Sequence, residues 1–201
     1  LLTDDIIEFC AHSRAFMPHF HIPLQSGSDE VLRLMHRRYD TALFRHKVER
    51  IKALMPDAFI GVDVIVGARG ETEELFQKAY DFLQQMDVAQ FHVFPYSERP
   101  GTQALNIKPV IPIEERHRRN AILHEISEEH RIAFYKKHIG QDAKILVESS
   151  EKDGVMYGFT DNYLKVEIPF DASLSNTIQN LDVSCVFTIE ENMPRVHKIS
   201  K

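Results

Sequence analysis

Three short segments bring together residue types that can bind an anion or a polar ligand. The first is His21-Ile-Pro-Leu-Gln-Ser-Gly-Ser28, in which Gln25 offers a donor and an acceptor, Ser26 a hydroxyl, and Gly27 a backbone that a ligand can approach closely. The second is Gly61-Val-Asp-Val-Ile-Val-Gly-Ala-Arg-Gly-Glu-Thr72, where Gly67, Gly70 and Glu71 form a loop whose amides can cradle an anionic or ribose-bearing group. It lacks the Lys-Ser/Thr pair of a Walker loop and the GxGxxG spacing of a dinucleotide fingerprint. Asp63 stands out because a carboxylate inside an apolar strand is costly unless it is paired or hydrogen-bonded. A structural ion pair is its plainer reading. The third is Phe94-Pro-Tyr-Ser-Glu-Arg-Pro-Gly-Thr102, a tight turn in which Arg99 can make a bidentate contact to phosphate or carboxylate. Taken singly, each segment also reads as an ordinary capped loop without a ligand.

The elements that position these segments are legible in the apolar spacing. Thr3, Ser28 and Thr72 are placed to cap helices running to about residues 14, 38 and 86, and a further helix covers 41–54 before Pro56. Residues 19–22, 58–66 and 88–94 read as strands. The second is β-branched and almost continuously apolar, as befits a strand buried on both faces of a parallel sheet. Strand, helix, strand at this spacing predicts βαβ units with right-handed crossovers, and their ligand sites form at the C-terminal ends of the strands. All three segments fall at such ends.

After Pro109 and Pro112 the pattern predicts one long charged helix over 114–138, with Gly140 as its C-cap. Beyond it the helical period is lost. Short strands are predicted at 144–148, 155–159, 163–168, 181–188 and 195–199, separated by Asp-Gly, Asp-Asn and Ser-Asn turns. The pattern therefore predicts parallel βαβ units up to a boundary near residue 140, followed by a small all-β barrel or sandwich.

Composition narrows the classes. The chain has 201 residues, is 43% hydrophobic and 27% charged, and carries a formal charge of −6. That balance argues for a globular protein and against indiscriminate nucleic-acid binding, which needs a cation excess. No apolar run approaches the roughly 18 residues of a membrane span, and no signal-peptide pattern opens the chain, so a cytoplasmic protein with no membrane partner is expected. Cys10 and Cys185 lie far apart and outside any CxxC or CxxxCxxC spacing. No residue is therefore assigned a catalytic or metal-ligating role. Leu1 opens inside an apolar helical pattern, which reads as the start of a fragment.

Read together, the strings resemble one family. His21-x-Pro-Leu-Gln-Ser-Gly-Ser28, Met35-His-Arg-Arg-Tyr39, Asp63-x-Ile-Val-Gly-x-x-Gly-Glu-Thr72 and Tyr96-Ser-x-Arg-Pro-Gly-Thr102 occur in this order in the MiaB-type radical S-adenosylmethionine methylthiotransferases. The resemblance covers nearly the whole chain, because that family ends in a small OB-like β-barrel, the TRAM domain. One departure is Ala68-Arg69, where the family usually has Phe-Pro.

The resemblance implies an α/β partial (β/α) barrel over 1–139, the later part of a radical SAM barrel, followed by a small all-β TRAM barrel over 140–201. It implies an enzyme that transfers a methylthio group to C2 of a modified adenosine beside the anticodon of tRNA. The threonylcarbamoyladenosine branch is favoured. S-adenosylmethionine and [4Fe–4S] clusters are implied for the full-length enzyme. This fragment, lacking the cluster cysteines, is expected to bind no cofactor and to be inactive alone. The resemblance places Gln25, Ser26, Gly27, Asp63, Gly67, Gly70 and Glu71 near the cofactor. For tRNA the expected contacts are Arg37, Arg38, Arg99, Arg116, Arg119, Lys144 and Lys165. The segment after 140 holds more acids than bases, and Tyr157, Phe159 and Tyr163 read either as stacking platforms or as core. Self-association through an uncovered strand edge is expected of a truncated barrel. The alternative is a stand-alone RNA-binding module on a degenerate, non-catalytic scaffold.

Overall fold

The computed structural model describes residues 2–138, 141–181, 185–190 and 193–198. Its first part alternates helix and strand: α1 (Asp4–His12), β1 (His19–Gln25), α2 (Asp29–Leu34), α3 (Thr41–Leu54), β2 (Phe59–Val66), α4 (Glu73–Gln84) and β3 (Gln90–Pro95). The strands form one parallel sheet in the order β1-β2-β3. β1 is an edge of this sheet and has β2 as its only partner among the described residues.

The caps follow the sequence with one exception. Ser28, Asp40 and Thr72 each accept a hydrogen bond from the backbone N–H three residues on, at Val31, Leu43 and Leu75. Thr3 occupies the N-cap of α1 in extended conformation, but its side chain caps nothing. Helix α2 stops at Leu34, short of the expected residue 38. The Arg37 N–H donates to the Leu32 carbonyl and the His36 N–H to that of Arg33, with His36 left-handed at φ 55°. This is a Schellman ending with a histidine where sequence reading looks for glycine.

Side chains of alternate strand residues go to opposite faces. Phe20 and Leu24 of β1, Ile60, Val62, Val64 and Val66 of β2, and Phe91 and Val93 of β3 join the main core. Residues of every helix except α2 pack into it, including Ile7, Val48, Ile51, Phe76, Leu83, Leu123 and Ile126. The sheet is thus covered by helices on one face.

Helix α5 (Ile113–Lys137) lies against β3 and leads to a six-stranded sheet in the order β7-β4-β5-β6-β9-β8. These strands are β4 (Ala143–Lys152), β5 (Val155–Thr160), β6 (Lys165–Pro169), β7 (Ile178–Leu181), β8 (Cys185–Glu190) and β9 (Met193–Lys198). All neighbours are antiparallel except β6 and β9. The expected strand 181–188 is two strands, one pairing with β4 and the other with β9. The sheet ends at β7 and β8, which do not pair with each other among the described residues, so the expected small β-barrel is found as a half-barrel sheet. Gly140, the expected C-cap, lies outside the described residues, as does the side chain of Cys185.

The core of this second sheet is aliphatic, formed by Ile145, Val147, Met156, Val166 and Ile168. Tyr157 and Phe159 are half-buried and Tyr163 is exposed, so none of the three aromatics belongs to that core. Tyr163 instead reaches the parallel sheet, stacking on His19 of β1 at 4.2 Å between ring centroids. The two parts are also joined by backbone-directed bonds. The Lys165 N–H donates to the Tyr135 hydroxyl, and the Asn162 amide donates to the Asp57 carbonyl.

Candidate functional site

The uncovered face of the parallel sheet carries the other half of the strand residues, and it is built in layers. At its N-terminal end it is closed. Phe59 of β2 is buried with Phe134, Tyr135 and Leu164, and the rings of His19 and Tyr163 pack edge-on to it. The next layers place His21 beside Gly61, and Pro23 and His92 on either side of Asp63. Beyond them Ile65 pairs with Phe94, whose side chain is exposed. This face therefore opens toward the strand ends named above.

Asp63 has the partner that its position demands. His21 Nε2 donates to Asp63 Oδ1 at 2.6 Å, with side-chain exposures of 51% and 27%. The His92 ring lies 4.7 Å from that of His21, centroid to centroid, tilted by 36°. Gly61 makes room for it, since a Cβ there would stand 3.2 Å from His92 Nε2. Burial foremost, then the neighbouring His21, holds the His92 imidazole below its ordinary pKa, while Asp63 pulls the other way. His19 is lowered by burial first, and then by His21 and His92. The sequence reading passed over His21 and His92 as site residues. The available signal was period two: His19, His21 and Pro23 alternate with Phe20, Ile22 and Leu24, which puts the histidines on one face.

The loop after β1 is tightly made. Gln25 is left-handed at φ 75°, at the point where the pairing of β1 with β2 shifts register. The Tyr39 hydroxyl reaches the carbonyls of Pro23 and Leu24, and Arg37 donates to Gln25 Oε1 at 3.3 Å. The Met35–Tyr39 string is thus a strap across the end of β1. Ser26 is buried, and its hydroxyl accepts from the Ser28 N–H. Gly27 is required by close approach, because a Cβ would lie 2.7 Å from the Ala79 carbonyl oxygen of α4.

The loop after β2 is held from within. Glu71 is 1% exposed, and its carboxylate accepts from the Gly67 N–H at 2.5 Å and from Arg119 at 3.0 Å. Arg119 also donates to the Glu71 carbonyl, and to Glu115 and Glu73. Burial pushes the Glu71 carboxyl up, and the Gly67 amide and Arg119 pull it back. Gly67 is left-handed, and a Cβ would overlap the Arg116 side chain; Gly70 donates its N–H to the Pro109 carbonyl.

Arg116 and Arg119, expected on an RNA-binding surface, are 8% and 3% exposed. Arg116 donates to the carbonyls of Ile111 and Tyr96 and to Glu98. Both guanidiniums are consumed by internal partners, which withdraws them from phosphate contact. On α5 these two arginines share a face with Leu123, Ile126 and Phe134, but Glu98 and Glu71, which they meet, lie in loops that the helix pattern does not pair with them. Arg69, at the departure from the family pattern, joins the same Glu98 at 2.9 Å. Arg37, Arg38, Arg99 and Lys144 are exposed, and half-buried Lys165 sits over the Tyr157 ring at 4.1 Å. Beside the end of β3 a cavity of about 580 Å³ is lined by Tyr96, Ser97, Glu98, Ile111 and Arg116.

Among the described residues no group of three or more His, Cys, Asp or Glu is arranged to hold a metal ion, so these residues do not fit an iron–sulfur cluster. Among them, too, no helix is long and apolar enough to cross a membrane.

Residues 1–83 match the model of the radical SAM superfamily. The chain is 34% identical over 167 residues to threonylcarbamoyladenosine tRNA methylthiotransferase MtaB of Rickettsia prowazekii, covering 83% of this chain and 38% of that protein. It is 36% identical over 166 residues to the protein of the same name from Aquifex aeolicus, covering 83% and 39%. It is 33% identical over 179 residues to tRNA-2-methylthio-N(6)-dimethylallyladenosine synthase of Desulfitobacterium hafniense, covering 88% and 40%. The chain therefore spans about two fifths of the length of these relatives. Among solved structures, coproporphyrinogen III oxidase (HemN) from Escherichia coli, a radical SAM enzyme, is similar over 70% of this chain and 32% of that one, at 19% identity and a TM-score of 0.47.

Proposed function

Because the chain is related by sequence to the MiaB-type radical SAM methylthiotransferases, we propose that it forms the C-terminal portion of a tRNA-modifying enzyme of that chemistry. The reaction is transfer of a methylthio group to C2 of a modified adenosine adjacent to the anticodon, with the threonylcarbamoyl form favoured. Residues 1–139 form the later part of the catalytic barrel in this reading, and 140–201 a TRAM-like RNA-binding unit. The observation that carries it is the stretch of the parallel sheet that bears His21, Asp63 and His92 and opens onto the strand-end loops at Gln25 and Gly67.

S-adenosylmethionine would be the cofactor, and it would supply the radical chemistry. Gln25 and Asp63 offer it side-chain polar atoms. Ser26, Gly27, Gly67, Gly70 and Glu71 shape the loops that hold their backbone amides in place. Exposed Arg37, Arg38, Arg99 and Lys144, with Lys165, supply phosphate contacts to tRNA.

The test is to express the complete protein containing this chain under anaerobic conditions. Its tRNA product is then digested and the nucleosides read by mass spectrometry. A 2-methylthioadenosine derivative is expected, and its absence from a cluster-replete preparation rejects the reading. Gln25→Ala and Asp63→Ala should each slow cofactor cleavage while the cluster absorbance is retained. The chain alone should release no deoxyadenosine.

A further inference from the structure

The His21–Asp63–His92 group is a polar cluster on the open sheet face, with half-buried Gln90 beside Gly61 in the same row as His21. Pro23, Ile65 and Phe94 flank it, and the His92 ring packs over Gly61 of the middle strand. Apolar side chains beside a few fixed polar atoms suit a flat heteroaromatic ring.

Asp63 settles which nitrogen of His21 is available. With Nε2–H donated to the carboxylate, the neutral ring keeps its lone pair on Nδ1. No described residue bonds to that nitrogen. The cluster is also not arranged as a metal site.

We infer that His21, oriented by Asp63 and flanked by His92, is the residue that contacts the substrate base, accepting a hydrogen bond at Nδ1 from the N6–H of an N6-monosubstituted adenosine. This rests on the tRNA-adenosine reading above. Asp63 is then a positioning residue that acts through His21, and Gly61 sets the place of His92. An adenosine with two N6 substituents has no such hydrogen to give.

The test follows the imidazole NMR signals of the chain during titration with N6-methyladenosine 5′-monophosphate, N6,N6-dimethyladenosine 5′-monophosphate and ribose 5-phosphate. The His21 signals should move with the first and saturate. Affinity should fall about tenfold for the dimethyl nucleotide and for His21→Ala, the loss of one hydrogen bond. His21→Gln keeps a carbonyl acceptor and should recover part of the loss, which a merely structural role would not produce. Equal affinity for the two nucleotides, equal shifts with ribose 5-phosphate, or unchanged binding by His21→Ala overturns the inference. Methylthiolation by the complete wild-type protein is scored separately. Its presence alongside failed N6 discrimination sinks only the base contact, and its absence alongside N6 discrimination sinks only the tRNA reading.

Discussion

Ile60, Val62, Val64 and Val66 of β2 are sealed under helices, whereas Asp63 and Ile65 of the same strand line a face that no helix covers toward the strand ends. One strand therefore serves two environments with a period of two. On the covered face each side chain contributes burial, and a lost atom leaves a cavity. On the open face Asp63 and His21 retain contact with water, so their bond adds little to stability. The difference separates residues kept for folding from residues free to do chemistry.

The sharpest break in this comparison lies where the Arg119–Glu71 pair carries charge into the interior. Removing the guanidinium with Arg119→Ala leaves the Glu71 carboxylate buried without its partner, at a cost of about 3–5 kcal/mol. Urea unfolding should show that loss, and it should be smaller in the double variant with Glu71→Gln. Next comes Ile60→Ala in the core, at about 2–5 kcal/mol, against less than about 1 kcal/mol for half-exposed Ile65→Ala. Equal unfolding midpoints for the two would erase the distinction between the faces.

Gly27→Ala tests the boundary between them. Its Cβ meets the backbone of α4, which cannot rotate away, so about 1–3 kcal/mol is expected in thermal or urea unfolding. A smaller, pH-dependent effect belongs to Glu115, whose pKa is held down to about 2 from 4.5, first by Arg118 and then, after an opposing push from burial, by Arg119. The folded value lies below the unfolded one. The contribution is therefore complete above pH 4.5 and is lost as pH falls toward 2. The stability gap between wild type and Glu115→Gln should close over that interval. The smallest effect is expected at the open face, where His21→Ala should change stability by under about 0.5 kcal/mol. A large loss there would make His21 a structural residue.

Much of this molecule was legible before folding was considered. The parallel sheet follows from near-continuous apolar strands alternating with capped amphipathic helices, and the three glycine-bearing loops fall at strand ends because their glycines interrupt those patterns. Helix α2 ran short because a histidine adopts the left-handed turn, a choice that local propensity disfavours and the Tyr39 strap accommodates. The second sheet was read strand by strand, but its parallel β6–β9 pairing was not, since strand order depends on contacts between distant segments.

The amino-acid order alone determined which residues alternate, where strands stop and which loops carry polar groups, because those properties are set by neighbours a few positions apart. Only the tertiary structure decided which groups meet. It placed His21 on Asp63 across 42 residues, joined Arg119 to Glu71 across 48, and turned two arginines of α5 inward. The physical reason is that a buried charge must find a partner wherever the fold brings one within reach. An exposed charge needs none, and in sequence the two look the same.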